Sequence, residues 1–252
     1  GGVSLKGDLA AHPATNTAFL AVGAAIASLV GTTGASMLLI RPLLQTNSER
    51  QYVRHTVIFF IFLVSNVGGC LLPIGDPPLF LGYLKGVPFL WTLNLWKEWA
   101  FLCVILLFVY YVWDSVMYRR EDPSHIAADE IFISRLRLEG KVNFVFLLGV
   151  VLSVALIKPG EPLPGLSVNA FPFLREMAML SFTGLSLLAT PRAIRAHNQF
   201  NYTPILEVAA LFIGIFIAMQ PPLEILHSGG DRIGQVLDAP WKFFWVTGGL
   251  SS

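Results

Sequence analysis

Ser-Asn-Val-Gly-Gly-Cys-Leu-Leu-Pro-Ile-Gly-Asp-Pro-Pro-Leu-Phe-Leu-Gly occupies residues 65–82, between an unbroken apolar run at 57–64 and a nearly apolar one at 79–84. No membrane helix passes intact through Gly75-Asp76-Pro77-Pro78, because the two prolines bring no backbone N–H and clash with the preceding turn. Backbone groups freed at membrane depth survive only where protein or a water-filled cavity satisfies them. A broken membrane helix that carries a carboxylate is therefore the mark of an ion or substrate site in a transporter.

The rest of the chain supports a membrane setting. Of its 252 residues 54% are apolar and only 13% charged, against about a quarter charged in soluble domains. Residues 99–113 contain no charge or amide, 144–157 hold one Ser among apolar residues and Gly, and 205–219 are apolar apart from Glu207. With their flanks these approach the ~20 residues needed to cross a bilayer. Five such passes predict an all-α polytopic membrane protein whose first partner is lipid. The net charge of +1 says nothing about partners, and there is no basic block of the kind that binds nucleic acid, so no nucleic-acid partner is expected. Cys70 and Cys103 are too few for a disulfide scaffold or zinc site and read as buried apolar cysteines. His12, His55, His125, His197 and His227 fall in loops or flanks, read as solvated, and show no metal-ligand spacing.

Candidate segments are 16–40, 55–89 (broken at 75–78), 96–117, 142–157, 177–190 and 204–220, with a seventh beginning near Phe243. Gly31-Thr32-Thr33-Gly34 interrupts the first, leaving arms of ~14 and ~7 residues, too short to span at 1.5 Å per residue. A re-entrant hairpin with its tip halfway into the membrane is the expectation, with Arg41-Pro42 marking the return to water. If residues 118–141 are cytoplasmic, alternation places 191–203, 41–54 and the N-terminal stretch on the same side. Those regions carry Lys6, Arg41, Arg50, Arg54, Arg119, Arg120, Arg135, Arg137, Lys141, Arg192 and Arg195. The other side keeps Lys85, Lys97, Lys158, Arg175, Arg232 and Lys242, an asymmetry that follows the positive-inside rule. The segment from Phe243 then enters from the opposite side, and 246–252 (Val-Thr-Gly-Gly-Leu-Ser-Ser) echoes 30–36 (Val-Gly-Thr-Thr-Gly-Ala-Ser), the layout of an inverted repeat. The chain reads as an internal piece of a longer protein: residues 1–90 as one half of a transport domain, 91–240 as linking and scaffold helices, 241–252 as the start of a second hairpin.

Several residues could carry chemistry. At the tip, Gly31 and Gly34 permit a tight turn, and Thr32 and Thr33 offer hydroxyls to a hard cation; close helix packing by small residues is the alternative. Ser65 and Asn66, before Gly68-Gly69, are either ligands or interhelical glue. Asp76, after Gly75 and before Pro77-Pro78, either ligates a cation that it exchanges for a proton or caps the half-helix that follows. Glu207 is a second ion or proton residue, or a carboxylate favouring a helix N-terminus. Asp114, beside Tyr118-Arg119-Arg120, reads as interfacial.

Residues 31–42 and 65–82, with 204–219, resemble the NhaD-type sodium/proton antiporters of the ion-transporter superfamily, which also holds arsenite permeases and dicarboxylate/sodium symporters. The resemblance implies a scaffold and a transport domain in each protomer, a homodimer, a bacterial-type inner membrane, and a tip at 31–36 facing the break at 65–82. Where the carboxylate symporters carry Gly-Thr-Pro-Pro-Asn, residues 75–79 read Gly-Asp-Pro-Pro-Leu, an added negative charge that suits a cation. The expected activity is Na⁺ or Li⁺ exchange for H⁺, with Asp76 holding each in turn, no cofactor, and no metal beyond the transported ion. The alternative within the superfamily is sodium-coupled symport of an organic anion, or anion efflux. An aspartyl intramembrane protease would need Gly-x-Gly-Asp and a second facing aspartate, but position 73 is Pro.

Overall fold

In a computed structural model of the chain, the described residues are 2–131, 134–157, 162, 170–198, 202–236 and 239–251. They fall into two compact units, Gly1–Phe200 and Asn201–Ser252. Among them, four helical segments are long and apolar enough to cross a membrane: Pro13–Val30, Arg54–Leu71, Trp91–Tyr118 and Ile205–Ile225. The protein is an all-α polytopic membrane protein.

Two helices meet at one glycine. α1 (Pro13–Val30) ends because Gly31 takes φ 80° and ψ 148°, where a side chain would be strained, and α2 (Thr32–Thr46) starts at the next residue. The open ends of this hairpin are joined: the Asn16 and Asn47 amides exchange two hydrogen bonds of 2.8 and 2.9 Å. The arms are 18 and 15 residues, longer than the sequence suggested. α2 runs through Arg41-Pro42 because Leu39, Pro42, Leu43 and Thr46 fall on one helical face and are all buried. At 1.5 Å per residue α1 is about 27 Å long.

The next segment deforms before it breaks. α3 (Arg54–Phe60) widens into a π turn (Ile61–Asn66), tightens into a 3-10 turn (Val67–Leu71), and stops at extended residues before α4 (Pro77–Leu84). After a 3-10 turn (Trp91–Leu95), α5 (Trp96–Tyr118) runs back the full length of the unit. Leu20, Ala24, Ala27, Leu39, Leu63, Val64 and Tyr110 form the shared core of these elements. Small residues set the spacing: a Cβ on Gly68 would lie 2.8 Å from the Ala27 Cβ and 2.9 Å from the Ala24 carbonyl. Close approach of this kind is how helices associate where lipid is as apolar as leucine. The outer face of α5 is left to lipid, with Phe101, Val104 and Phe108 each about two-thirds exposed at 69%, 65% and 66%.

A two-stranded antiparallel ribbon, β1 (Ser4–Asp8) with β2 (Ser134–Glu139), is the exception to the helical architecture. It follows α6 (Pro123–Ile131) and leads into α7 (Val142–Leu156), which packs on α8 (Leu174–Ala189). The short α9 (Arg192–His197) comes next. The ribbon joins the N-terminal stretch to the 118–141 segment. Asn143 donates to the Gly2 carbonyl and Asn198 to the Val3 carbonyl, each at 2.7 Å. The loops that carry most of the basic residues therefore converge at one end of the unit.

In the second unit α10 (Thr203–Val236) continues through Pro221-Pro222, beyond the expected end at 220. α11 (Pro240–Ser251) stays helical across Gly248-Gly249, so the supposed echo of the first tip has no break there. Helix geometry needs no positive φ at those glycines, and the small-residue pattern alone could not distinguish a turn from a helix. Lys158 and Ser252 lie outside the described residues.

Candidate functional site

The hairpin tip and the helix break form one contact. The Thr32 N–H donates to the Gly75 carbonyl at 3.1 Å, and one turn further along α2 the Ser36 and Ser65 hydroxyls lie 2.8 Å apart. Gly69 sits under the tip, where a Cβ would run into the Thr32 methyl and the Gly75 carbonyl, so only glycine fits.

Side chains from three other elements satisfy the backbone groups that the break frees. The Ser28 hydroxyl of α1 donates to the Gly68 carbonyl and accepts the Leu71 N–H at 3.1 Å. The Trp99 indole N–H of α5 donates to the Val67 carbonyl at 3.0 Å, and the Thr92 hydroxyl to the Leu71 carbonyl at 2.9 Å. The break is a built feature held by tertiary contacts, as irregular backbone inside a membrane protein must be. None of Ser28, Ser36, Thr92 or Trp99 was singled out from sequence; Ser28, three residues before the tip glycine, offered the clearest signal.

Asp76 stands at the N-cap of α4 in extended conformation, φ −143° and ψ 135°, partly buried. Its carboxylate makes no capping hydrogen bond, although its carbonyl accepts the Phe80 N–H at 3.1 Å. Pro77 and Pro78 follow at the first helical positions and present no N–H, so a cap has less to bind there. The carboxylate is thus left for another partner.

Thr33, Gly34 and Asn66 are exposed, and the Asn66 amide donates to the Ile61 carbonyl of its own helix at 3.0 Å. Glu207 lies exposed on α10 in the second unit. Cys70, expected to be buried, is exposed beside the break, whereas Cys103 is buried.

The opposite end of the unit holds a second polar group. Asp114, expected at an interface, is 0% exposed; His55, expected in solvent, is 6% exposed. Arg50 grips Asp114 with two N–H groups at 2.7 and 3.2 Å, His55 Nε2 lies 2.8 Å from it, and Asn16 donates at 3.3 Å. Burial opposes the Arg50 charge, yet the hydrogen bonds and charge of Asp114 hold its pKa above the ordinary value. Asp114 lies 15 residues along α5 from Trp99, about 22 Å of helix, so it and Asp76 cannot form a catalytic aspartate pair.

A cavity of about 530 Å³ lies along the other face of the hairpin, between α2, α7 and α8. It reaches from Val30 and Gly34 near the tip to Arg41 and Asn143, with apolar walls that include Leu147 and Phe182. That volume falls in the range of small-molecule sites.

A family model with the description "CitMHS_2: Putative citrate transport" matches residues 1–252. Neither the curated proteins nor the solved structures contain a match to the chain.

Proposed function

The chain belongs to that citrate-transport family, and on this premise we propose that it is a secondary active transporter moving an organic polycarboxylate together with a coupling cation, H⁺ or Na⁺, taken at Asp76. The observation that carries the reading is the carboxylate at the helix break, left without a cap beside the Thr32–Gly75 contact.

Electrostatics then gives the coupling. A carboxylate solute close to an ionised Asp76 meets a repulsion of about 4 kcal/mol at ~4 Å and an effective dielectric of 20. A proton or Na⁺ on Asp76 removes that repulsion, so cation and anion load together. The oxygen-rich surroundings of the Ser36–Ser65 pair and the break support cation binding. The cavity beside Arg41 lies on the other face of the hairpin and Asp76 is not among its lining residues, so this coupling places the solute at the break and not in that cavity. Assembly as a homodimer in a bacterial-type inner membrane belongs to the same proposal.

The second reading is Na⁺ (or Li⁺) exchange for H⁺ on the same carboxylate. What favours it is that no cationic side chain forms an ion pair with Asp76 among the described residues. The full-length protein in proteoliposomes separates the two. Uptake of labelled citrate that requires a proton or Na⁺ gradient supports solute transport. Collapse of a preformed pH gradient by Na⁺ alone, without citrate movement, supports antiport.

A further inference from the structure

The cluster at the base of the hairpin is unbalanced in charge. Asp114 and Glu121 are carboxylates with fully covered side chains, and among the described residues Arg50 is the guanidinium within reach of both. Arg50 Nε makes no hydrogen bond and lies 3.5 Å from Glu121 Oε1. Glu121 accepts the Gln51 and Tyr52 N–H groups at 3.0 and 2.8 Å, while Asp114 accepts Asn16, Arg50 and His55. Among the described residues, two carboxylates against one guanidinium leave a net charge of −1 when His55 and the rim residue His125 are both neutral, and a proton on the buried His55 imidazole brings it to zero.

We propose that this cluster is a second proton-binding site, with the proton carried on His55 against Asp114 and its occupancy governing how firmly the hairpin base is held. The groups that face His55 are Asp114 and Tyr110 from α5, Arg50 from the loop after α2, and the Asn16 amide of α1 through Asp114. The Trp113 ring stacks on the imidazole with 6.1 Å between centroids. At the rim, Tyr118 lies over Arg50 and meets His12, and the half-exposed His125 ring is 3.8 Å from Glu121.

The proton does not decide whether the His55–Asp114 hydrogen bond exists, because a neutral imidazole with N–H at Nε2 also donates, although less strongly than the charged ring. It decides whether a buried negative charge is balanced. Both ends of the hairpin meet at this point, Asn16 from the start of α1 and Asn47 and Arg50 from the end of α2. Loss of the proton therefore loosens the anchor of the element whose tip packs on the break. The cluster lies a helix length from Asp76, so its protonation is separate from any proton that Asp76 exchanges.

The inference rests on the transport reading for its activity readout, and a second measurement frees it from that reading. In full-length protein in proteoliposomes, the wild-type pH–rate profile is expected to contain a limb that H55Q loses while transport at the optimum is retained. An unchanged profile in H55Q overturns the proposal. Should H55Q fail to fold, NMR of the ¹⁵N-labelled His55 ring in the wild type decides. Titration over the pH range in which transport changes supports the site, and a ring fixed in one protonation state overturns it. D76N separates the two proposals: if it abolishes coupling while the His55 titration persists, the sites are independent.

Discussion

The backbone N–H of Thr32 reaches the carbonyl of Gly75 across 3.1 Å, so the turn of one hairpin and the broken end of another span share a hydrogen bond. Neither piece is stable in this form alone. The tip leaves N–H groups without helical partners, the break leaves carbonyls, and each supplies part of what the other lacks.

Gly68 is one of the points where the two pieces approach closely. A methyl group at this position would lie 2.8 Å from the Ala27 Cβ and from the Leu63 carbonyl. Gly68→Ala is expected to destabilise the unit by about 1–3 kcal/mol through overpacking and to lower transport. Thermal unfolding in detergent beside an uptake assay checks this; a wild-type melting temperature would contradict it.

Trp99→Phe keeps a ring in place and removes the donor to the Val67 carbonyl. The cost is that of one unsatisfied acceptor, about 1–3 kcal/mol at most because Trp99 is only partly buried. The expected signature is a raised half-saturation concentration for the coupling cation at little cost in expression. A change in maximal rate alone would point to a purely structural role.

Asp114→Asn leaves the Arg50 guanidinium buried without its principal counter-charge. Removing one member of a buried pair costs about 3–5 kcal/mol, whereas replacing both by apolar residues costs far less. The variant Arg50→Met/Asp114→Leu/Glu121→Gln, which also neutralises the second carboxylate that Arg50 faces, should therefore be more stable than Asp114→Asn, and unfolding measurements on the set give the difference.

Cys70 is exposed next to the break and Cys103 is buried in the core, so a maleimide should label the first and spare the second until the protein unfolds. Cys70→Ser then removes the fast phase of labelling. Equal rates at the two thiols would mean that the break is packed differently.

Three of the four segments long enough to span, and the break, were legible because long apolar runs and Gly-Asp-Pro-Pro act through local rules that a sequence displays directly; the fourth, Pro13–Val30, was read as an arm too short to cross. The length of the hairpin was not. Arg41-Pro42 looks like a helix end, and only the buried face formed by Leu39, Leu43 and Thr46 shows why the helix continues. Asp114 and His55 looked like interfacial and solvated residues for a similar reason. Their partners Asn16 and Arg50 are 98 and 64 positions from Asp114, and His55 is 59, so no local pattern connects them. The π turn at Ile61–Asn66 was not legible either, because no residue type announces it.

The most direct test concerns Asp76. Purified full-length Asp76→Asn protein in proteoliposomes should still bind citrate, or exchange it across the bilayer, while an imposed proton or Na⁺ gradient no longer drives its accumulation. Gradient-driven accumulation at the wild-type rate by Asp76→Asn would contradict the assignment of the coupling cation to this carboxylate.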